Sequence, residues 1–180
     1  MTTAEVQGPA DFARACVAAH VTGHAVPEPP DDPLYVRPAA CFVSLKEHGD
    51  LRGCIGTLEP AERSLGLEIV RNAYSAALHD PRFFRVRPDE LPQLTCSVDV
   101  LSESEPCGLG DLDPKVYGVI VRSGLRRGVL LPDLEGIDDA GRQVAIALQK
   151  AGISPGEPFE VERFTVTRYR EGDPPRADDA

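Results

Sequence analysis

Apolar and polar positions change their period several times along the chain. Residues 9–21 put Phe12, Cys16, Val17 and Ala19 on one side of a helix, and Gly23 follows as a stop. Val26 to Pro33 breaks that period, and its four prolines predict an extended surface connector. Residues 39–46 alternate: Cys41, Val43 and Leu45 against Phe42, Ser44 and Lys46. With Glu47-His48-Gly49-Asp50 as a turn and Leu51–Leu58 returning, this predicts a hairpin. A second helix is expected over 64–78, with Leu65, Ile69, Ala73 and Ala76 as its stripe and Leu67, Val70, Tyr74 and Ala77 widening it. His79-Asp80-Pro81 ends it, because a residue before proline avoids the helical region.

Thr95–Leu101 reads as a strand with Cys96, Val98 and Val100 on one face. Val116–Arg122 and Arg127–Leu131 predict a second hairpin about Ser123-Gly124-Leu125-Arg126. A third helix is expected over 138–151 with Gly152 as its stop, and one last strand over 161–169. Hairpins interspersed with helices, without strict βα alternation, predict an α+β fold with mostly antiparallel sheet. No internal repeat stands out. There is no G-x-G-x-x-G after a strand and no G-x-x-x-x-G-K-[ST], so neither dinucleotide-binding nor P-loop chemistry is expected.

Composition narrows the function classes. The chain has 180 residues with 42% apolar and 27% charged, enough for a packed core without disulfides or metal. Its net charge of −10 argues against DNA and acidic membranes as partners. Only Lys46, Lys115 and Lys150 are lysine among the 19 cations, so arginine supplies nearly all local positive charge. The five cysteines have no C-x-x-C spacing, and the start has neither a basic region nor an apolar run. Reduced thiols and a cytoplasmic location are therefore expected, with no membrane span. His20, His24 and His48 have no spacing that builds a metal site. The residues from Gly172 to Ala180 read as an acidic, flexible tail.

Leu51-Arg52-Gly53-Cys54-Ile55-Gly56 is the stretch that composition does not explain. If the strand alternates, Arg52 and Cys54 share a face. Gly53 and Gly56 clear side chains around the thiol, and a cation beside it favours thiolate. One reading is a reactive Cys54 with Arg52 holding an anion, and His79 of His79-Asp80-Pro81-Arg82-Phe83 as its base. The other is a close-packed strand in which Cys54 is a small hydrophobe and Asp80 and Arg82 form a structural turn. Arg82, Arg85 and Arg87, with Arg122, Arg126 and Arg127, either join Arg52 around a phosphate or carboxylate or are a solvated face.

These motifs, in this order, resemble the AMMECR family, also called AmmeMemoRadiSam system protein A. Besides Leu51–Thr57 they include Cys41-Phe42-Val43-Ser44-Leu45, Asn72-Ala73, Asp80-Pro81-Arg82-Phe83, Glu90-Leu91-Pro92 and Ser97-Val98-Asp99-Val100-Leu101. Tyr117-Gly118-Val119-Ile120-Val121, Arg126–Pro132 and Lys150-Ala151-Gly152 continue the series. The resemblance implies one two-lobed α+β domain over 9–171, and it brings no defined reaction or cofactor. It implies association with a Memo-type protein and a radical-SAM protein. It also implies a site on Leu51–Gly56, with Arg52, Gly53, Gly56, Asp80 and Arg82 as binding residues and Cys54 and His79 as catalytic candidates. Asp133–Arg142 departs from the family by being short, and the chain lacks tryptophan.

Overall fold

The computed structural model describes residues 7–176, which fall into two units: one up to Val100 and again from Thr167, the other Leu101–Val166. In chain order the elements are α1 (Pro9–Thr22), α2 (Pro33–Val36), β1 (Cys41–Glu47), β2 (Asp50–Gly56), α3 (Leu65–Leu78), β3 (Leu94–Leu101), β4 (Glu105–Pro106), β5 (Gly118–Ser123), β6 (Arg126–Leu130), α4 (Ala140–Ala151), β7 (Glu160–Phe164) and β8 (Val166–Arg170). The α+β expectation holds, with one four-stranded sheet in each unit.

In the first unit the strand order is β2-β1-β3-β8. The β1–β2 turn is two residues, His48 and Gly49, both with positive φ (52° and 92°), the conformation that matches strand twist in a tight hairpin. Cys41, Val43 and Leu45 of β1 and Cys96, Val98 and Val100 of β3 turn inward, as their alternation requires. Helices α1 and α3 cover that face with Phe12, Val17, Leu65, Ile69 and Ala73. Ser64 caps α3 by accepting the Leu67 N–H, and Gly23 closes α1 in a left-handed conformation. The proline-rich connector gains one short turn, α2, because the Asp32 carboxylate accepts the Leu34 N–H at 2.9 Å and Pro33 suits a first helical position.

The stripe expected on α3 is corrected in part. Tyr74 is exposed, whereas Glu68 and Asn72 are buried. Both have specific partners: Glu68 accepts from the Thr57 hydroxyl and the Ala61 and Glu62 amides, and Asn72 donates to the Cys41 carbonyl at 2.9 Å. Periodicity ranks residues by polarity, so it has no way to see a carboxylate that gathers a loop around itself.

In the second unit the order is β4-β7-β5-β6, with α4 packed on β5 and β6. Val119, Val121, Leu130, Val144, Ala147 and Leu148 form its core. The single strand expected over 161–169 is instead two. Thr165 interrupts it, leaving β7 in the second sheet and β8 in the first. Thr165 and Ser102 exchange hydrogen bonds at this crossing, 2.9 and 3.0 Å. Beyond β8 the Gly172 amide donates to Asp11, and the Arg176 guanidinium lies over the Tyr169 ring. The remaining tail residues, 177–180, and the first six lie outside the described residues.

Candidate functional site

The hairpin register decides which side chains of Leu51–Gly56 can act together. Val43 faces Ile55, Ser44 faces Cys54 and Leu45 faces Gly53, but Lys46 then faces Leu51. Arg52 is the extra residue of a bulge, so it does not share a face with Cys54. The expected pairing of guanidinium and thiol fails because alternation holds only along an unbroken strand.

Arg52 already has an anion. Its Nε donates to Glu90 Oε1 at 2.8 Å and its Nη2 to Oε2 at 3.2 Å. Its Nη1 also reaches the Phe84 carbonyl at 2.9 Å, and Nη2 the Arg85 carbonyl at 3.4 Å. Both partners of the pair are about 85% buried at the side chain (14% and 15% exposed), and Arg52 holds the Glu90 carboxyl below its usual value. The role expected for Arg52, binding an anionic ligand, is thus taken by the chain's own carboxylate.

Asp80 and Arg82 serve the same edge. β2 is an outer strand, so its outward amides and carbonyls need partners. The Cys54 N–H donates to Asp80 Oδ2 at 2.9 Å, and Arg82 Nη2 donates to the Cys54 carbonyl at 2.9 Å. The two side chains pair with one another at 2.7 Å. Together they imitate one residue of a neighbouring strand. The Arg82 guanidinium, with the Cys54 and Arg82 amides, holds the nearly buried Asp80 carboxyl well below the usual carboxylate range. The glycines also have structural partners. A Cβ on Gly53 would stand 2.3 Å from the Ala76 carbonyl of α3, and one on Gly56 2.3 Å from the Phe42 ring.

Cys54 itself turns to the face away from the helices. Its Sγ lies 3.1 Å from Ser44 Oγ and is half-buried. Ser44 faces Ser97 across β1 and β3, so thiol, hydroxyl and hydroxyl form one row. Ser44 and Ser97 also line a hollow of about 370 Å³ with Lys46, Leu51, Arg168, Arg170 and Glu171, whose carboxylate accepts the Cys96 N–H and lies 3.8 Å from Arg14. Asp99 holds Arg168 through two hydrogen bonds of 2.6 Å, whereas Lys46 and Arg170 make no ion pair among the described residues. Alternation had marked Ser44 and Lys46 as outward-facing; nothing in the sequence marked them as neighbours of Arg170. His79 lies elsewhere: it caps α3, is exposed, and packs on Tyr74 with ring centres 4.8 Å apart. The sheet separates that helix layer from Cys54 Sγ.

Several of the clustered arginines have internal carboxylates. Arg87 pairs with Asp89 at 3.0 Å, Arg122 approaches Glu162 at 3.9 Å, and Arg126 pairs with Glu157. Burial pushes the Cys16, Cys41 and Cys96 thiols up to about 12, which removes them as nucleophiles.

The family pattern AMMECR1 matches residues 10–172, both units included. The chain belongs to the AMMECR1 family. A Thermotoga maritima relative is 52% identical over 140 residues, which cover 76% of this chain and 80% of that protein. A Clostridium acetobutylicum relative is 48% identical over 153 residues, which cover 83% of this chain but 33% of that protein. This AMMECR1-family chain therefore spans about a third of the clostridial protein's length. The crystal structure of an uncharacterised Pyrococcus horikoshii protein has the same fold, with a TM-score of 0.77, 28% identity and coverage of 92% of this chain and 91% of that one. No helix among the described residues is long and apolar enough to cross a membrane.

Proposed function

We propose that this AMMECR1-family chain is a binding component, which takes a small anion, or an anionic group of a partner, on the outward face of its first sheet. The observation that carries this reading is the hollow next to Ser44, the neighbour of Cys54: Lys46 and Arg170, which make no ion pair among the described residues, line it together with Ser44 and Ser97, and the carboxylate in the same lining, Glu171, is engaged by the Cys96 amide and Arg14. In a chain of net charge −10, two cations on one hollow give it a local positive charge that the chain as a whole lacks. Hydroxyl donors between them supply the directed hydrogen bonds that an oxyanion needs. The partners that fit the family resemblance are a Memo-type and a radical-SAM protein. The clostridial relative supports a working partner in general terms, since the matched region is only 33% of that protein and the rest of its chain accompanies it.

The alternative, an enzyme with Cys54 as nucleophile, draws on the Sγ–Oγ contact at 3.1 Å. Its other members are engaged elsewhere, Arg52 with Glu90 and His79 on the helix layer. Thermal shift against inorganic phosphate and small dicarboxylates separates the two readings. A shift in the wild type that is lost in the Lys46→Ala/Arg170→Ala double variant, kept in Cys54→Ser and weakened by salt supports binding. No shift with any anion, or one that survives the double variant, refutes it.

A further inference from the structure

Between Asp80 and Glu90 the chain displays a side chain that folding does not account for. Phe84 is 93% exposed. It does not sit on a slack loop. Arg52 holds the carbonyls of Phe84 and Arg85, Val86 is buried, and the Val86 amide donates to the Ala77 carbonyl at 2.8 Å. A fixed aromatic costs little further entropy on docking, which is what an interface anchor requires. The charges around it are also selective. Asp80 pairs with Arg82, Asp89 with Arg87 and Glu90 with Arg52. Arg85 alone in this segment makes no ion pair among the described residues, and it adjoins the exposed ring.

The complement of an aromatic beside a free guanidinium is an apolar hollow with a carboxylate at its rim. The second unit carries one. A hollow of about 530 Å³ is lined by Pro106, Leu109, Phe159 and Val161 together with Glu160 and Glu162. Glu162 already receives Arg122 and the Ser104 hydroxyl, whereas Glu160 is exposed and unpaired among the described residues. A larger hollow of about 680 Å³ over Val144, Leu148 and Ile153 has no carboxylate in its lining, so it offers nothing to Arg85.

We propose that Phe84 and Arg85 of one chain dock into the Phe159–Glu160 hollow of a second copy. Knuckle and hollow are different patches, which makes the contact head-to-tail: each pairing leaves one knuckle and one hollow open, to grow or to close a ring. This contact does not involve the anion site.

Sedimentation equilibrium of the full chain up to about 1 mM, the weak end of specific association, tests it. The wild type should gain mass with concentration. Phe84→Ala, which changes only an exposed ring, and Glu160→Arg should each weaken association at least tenfold. The deciding sample is an equimolar mixture of the two variants. The first keeps a sound hollow and the second a sound knuckle, so together they should form a one-to-one dimer that neither forms alone. Circular dichroism checks that both are folded. A wild type that stays monomeric, a single variant that associates like wild type, or folded variants that fail to complement overturns the proposal.

Discussion

The two hairpins, one in each unit, are built alike, and they differ at Cys54. In β2 the sequence is Arg52-Gly53-Cys54-Ile55, and in β6 it is Arg127-Gly128-Val129-Leu130. Both strands are the outer member of their sheet, and both meet the helix that follows. Gly53 lies under the Ala76 carbonyl of α3 and Gly128 under the Ala147 carbonyl of α4. At the next residue a cation caps the outward carbonyl each time: Arg82 on Cys54 at 2.9 Å, Lys150 on Val129 at 2.8 Å. Arg-Gly in this chain is thus the mark of a strand pressed against a helix backbone. What β2 has and β6 lacks is the Asp80 carboxylate on the Cys54 amide, and a half-buried thiol where β6 has buried Val129.

The largest expected effect tests the shared part. A methyl at Gly53 would stand 2.3 Å from a backbone oxygen, and one at Gly128 1.9 Å, and neither oxygen belongs to a flexible side chain. Gly53→Ala and Gly128→Ala should each destabilise by about 3 kcal/mol in urea titration, the cost of forcing a helix off its sheet. A loss below about 1 kcal/mol at either position breaks the parallel between the hairpins.

The next effect tests the difference. Asp80→Asn should cost about 1–2 kcal/mol, discounted because Arg82 is half exposed, and Lys150→Met about 1 kcal/mol or less. Asp80 also has a pH signature. Its folded value lies below its unfolded value of 3.8, so its contribution is complete above about pH 4 and is lost as pH falls from there. Asp80→Asn should flatten the acid limb of the stability curve below pH 4, and Lys150→Met should leave it unchanged. An acid limb that Asp80→Asn does not alter assigns the clamp no energetic role.

These comparisons also explain what could be read from sequence. Helices ending at Gly23 and Gly152, and both hairpins, were legible because stops and periods are local. The division of 161–169 between two sheets was not, since Val161, Val166 and Tyr169 form a continuous strand-like run and only the exchange between Ser102 and Thr165 interrupts it. At the site, the sequence offers Arg52 as the partner of Cys54, and the register gives it Ser44 instead. A bulge of one residue turned Arg52 away, and its carboxylate, Glu90, lies 38 residues on. Ser44 could be placed beside Cys54 only once the register was known.

The smallest effect concerns reactivity and leaves stability untouched. Iodoacetamide at pH 8 should label Cys54 in the folded protein and spare Cys16, Cys41 and Cys96, whose burial pushes them up to about 12. Cys107, half-buried and raised less far, provides an internal reference in the second unit. If Ser44 donates its hydroxyl proton to the sulfur, it stabilises thiolate, and Ser44→Ala should slow labelling of Cys54 about threefold relative to Cys107. If it accepts the thiol proton instead, the same change should speed labelling. Either response makes the Ser44–Cys54 row a chemical unit that β6 does not have. An unchanged ratio would leave Cys54 in the same class as Val129, a small side chain beside a glycine.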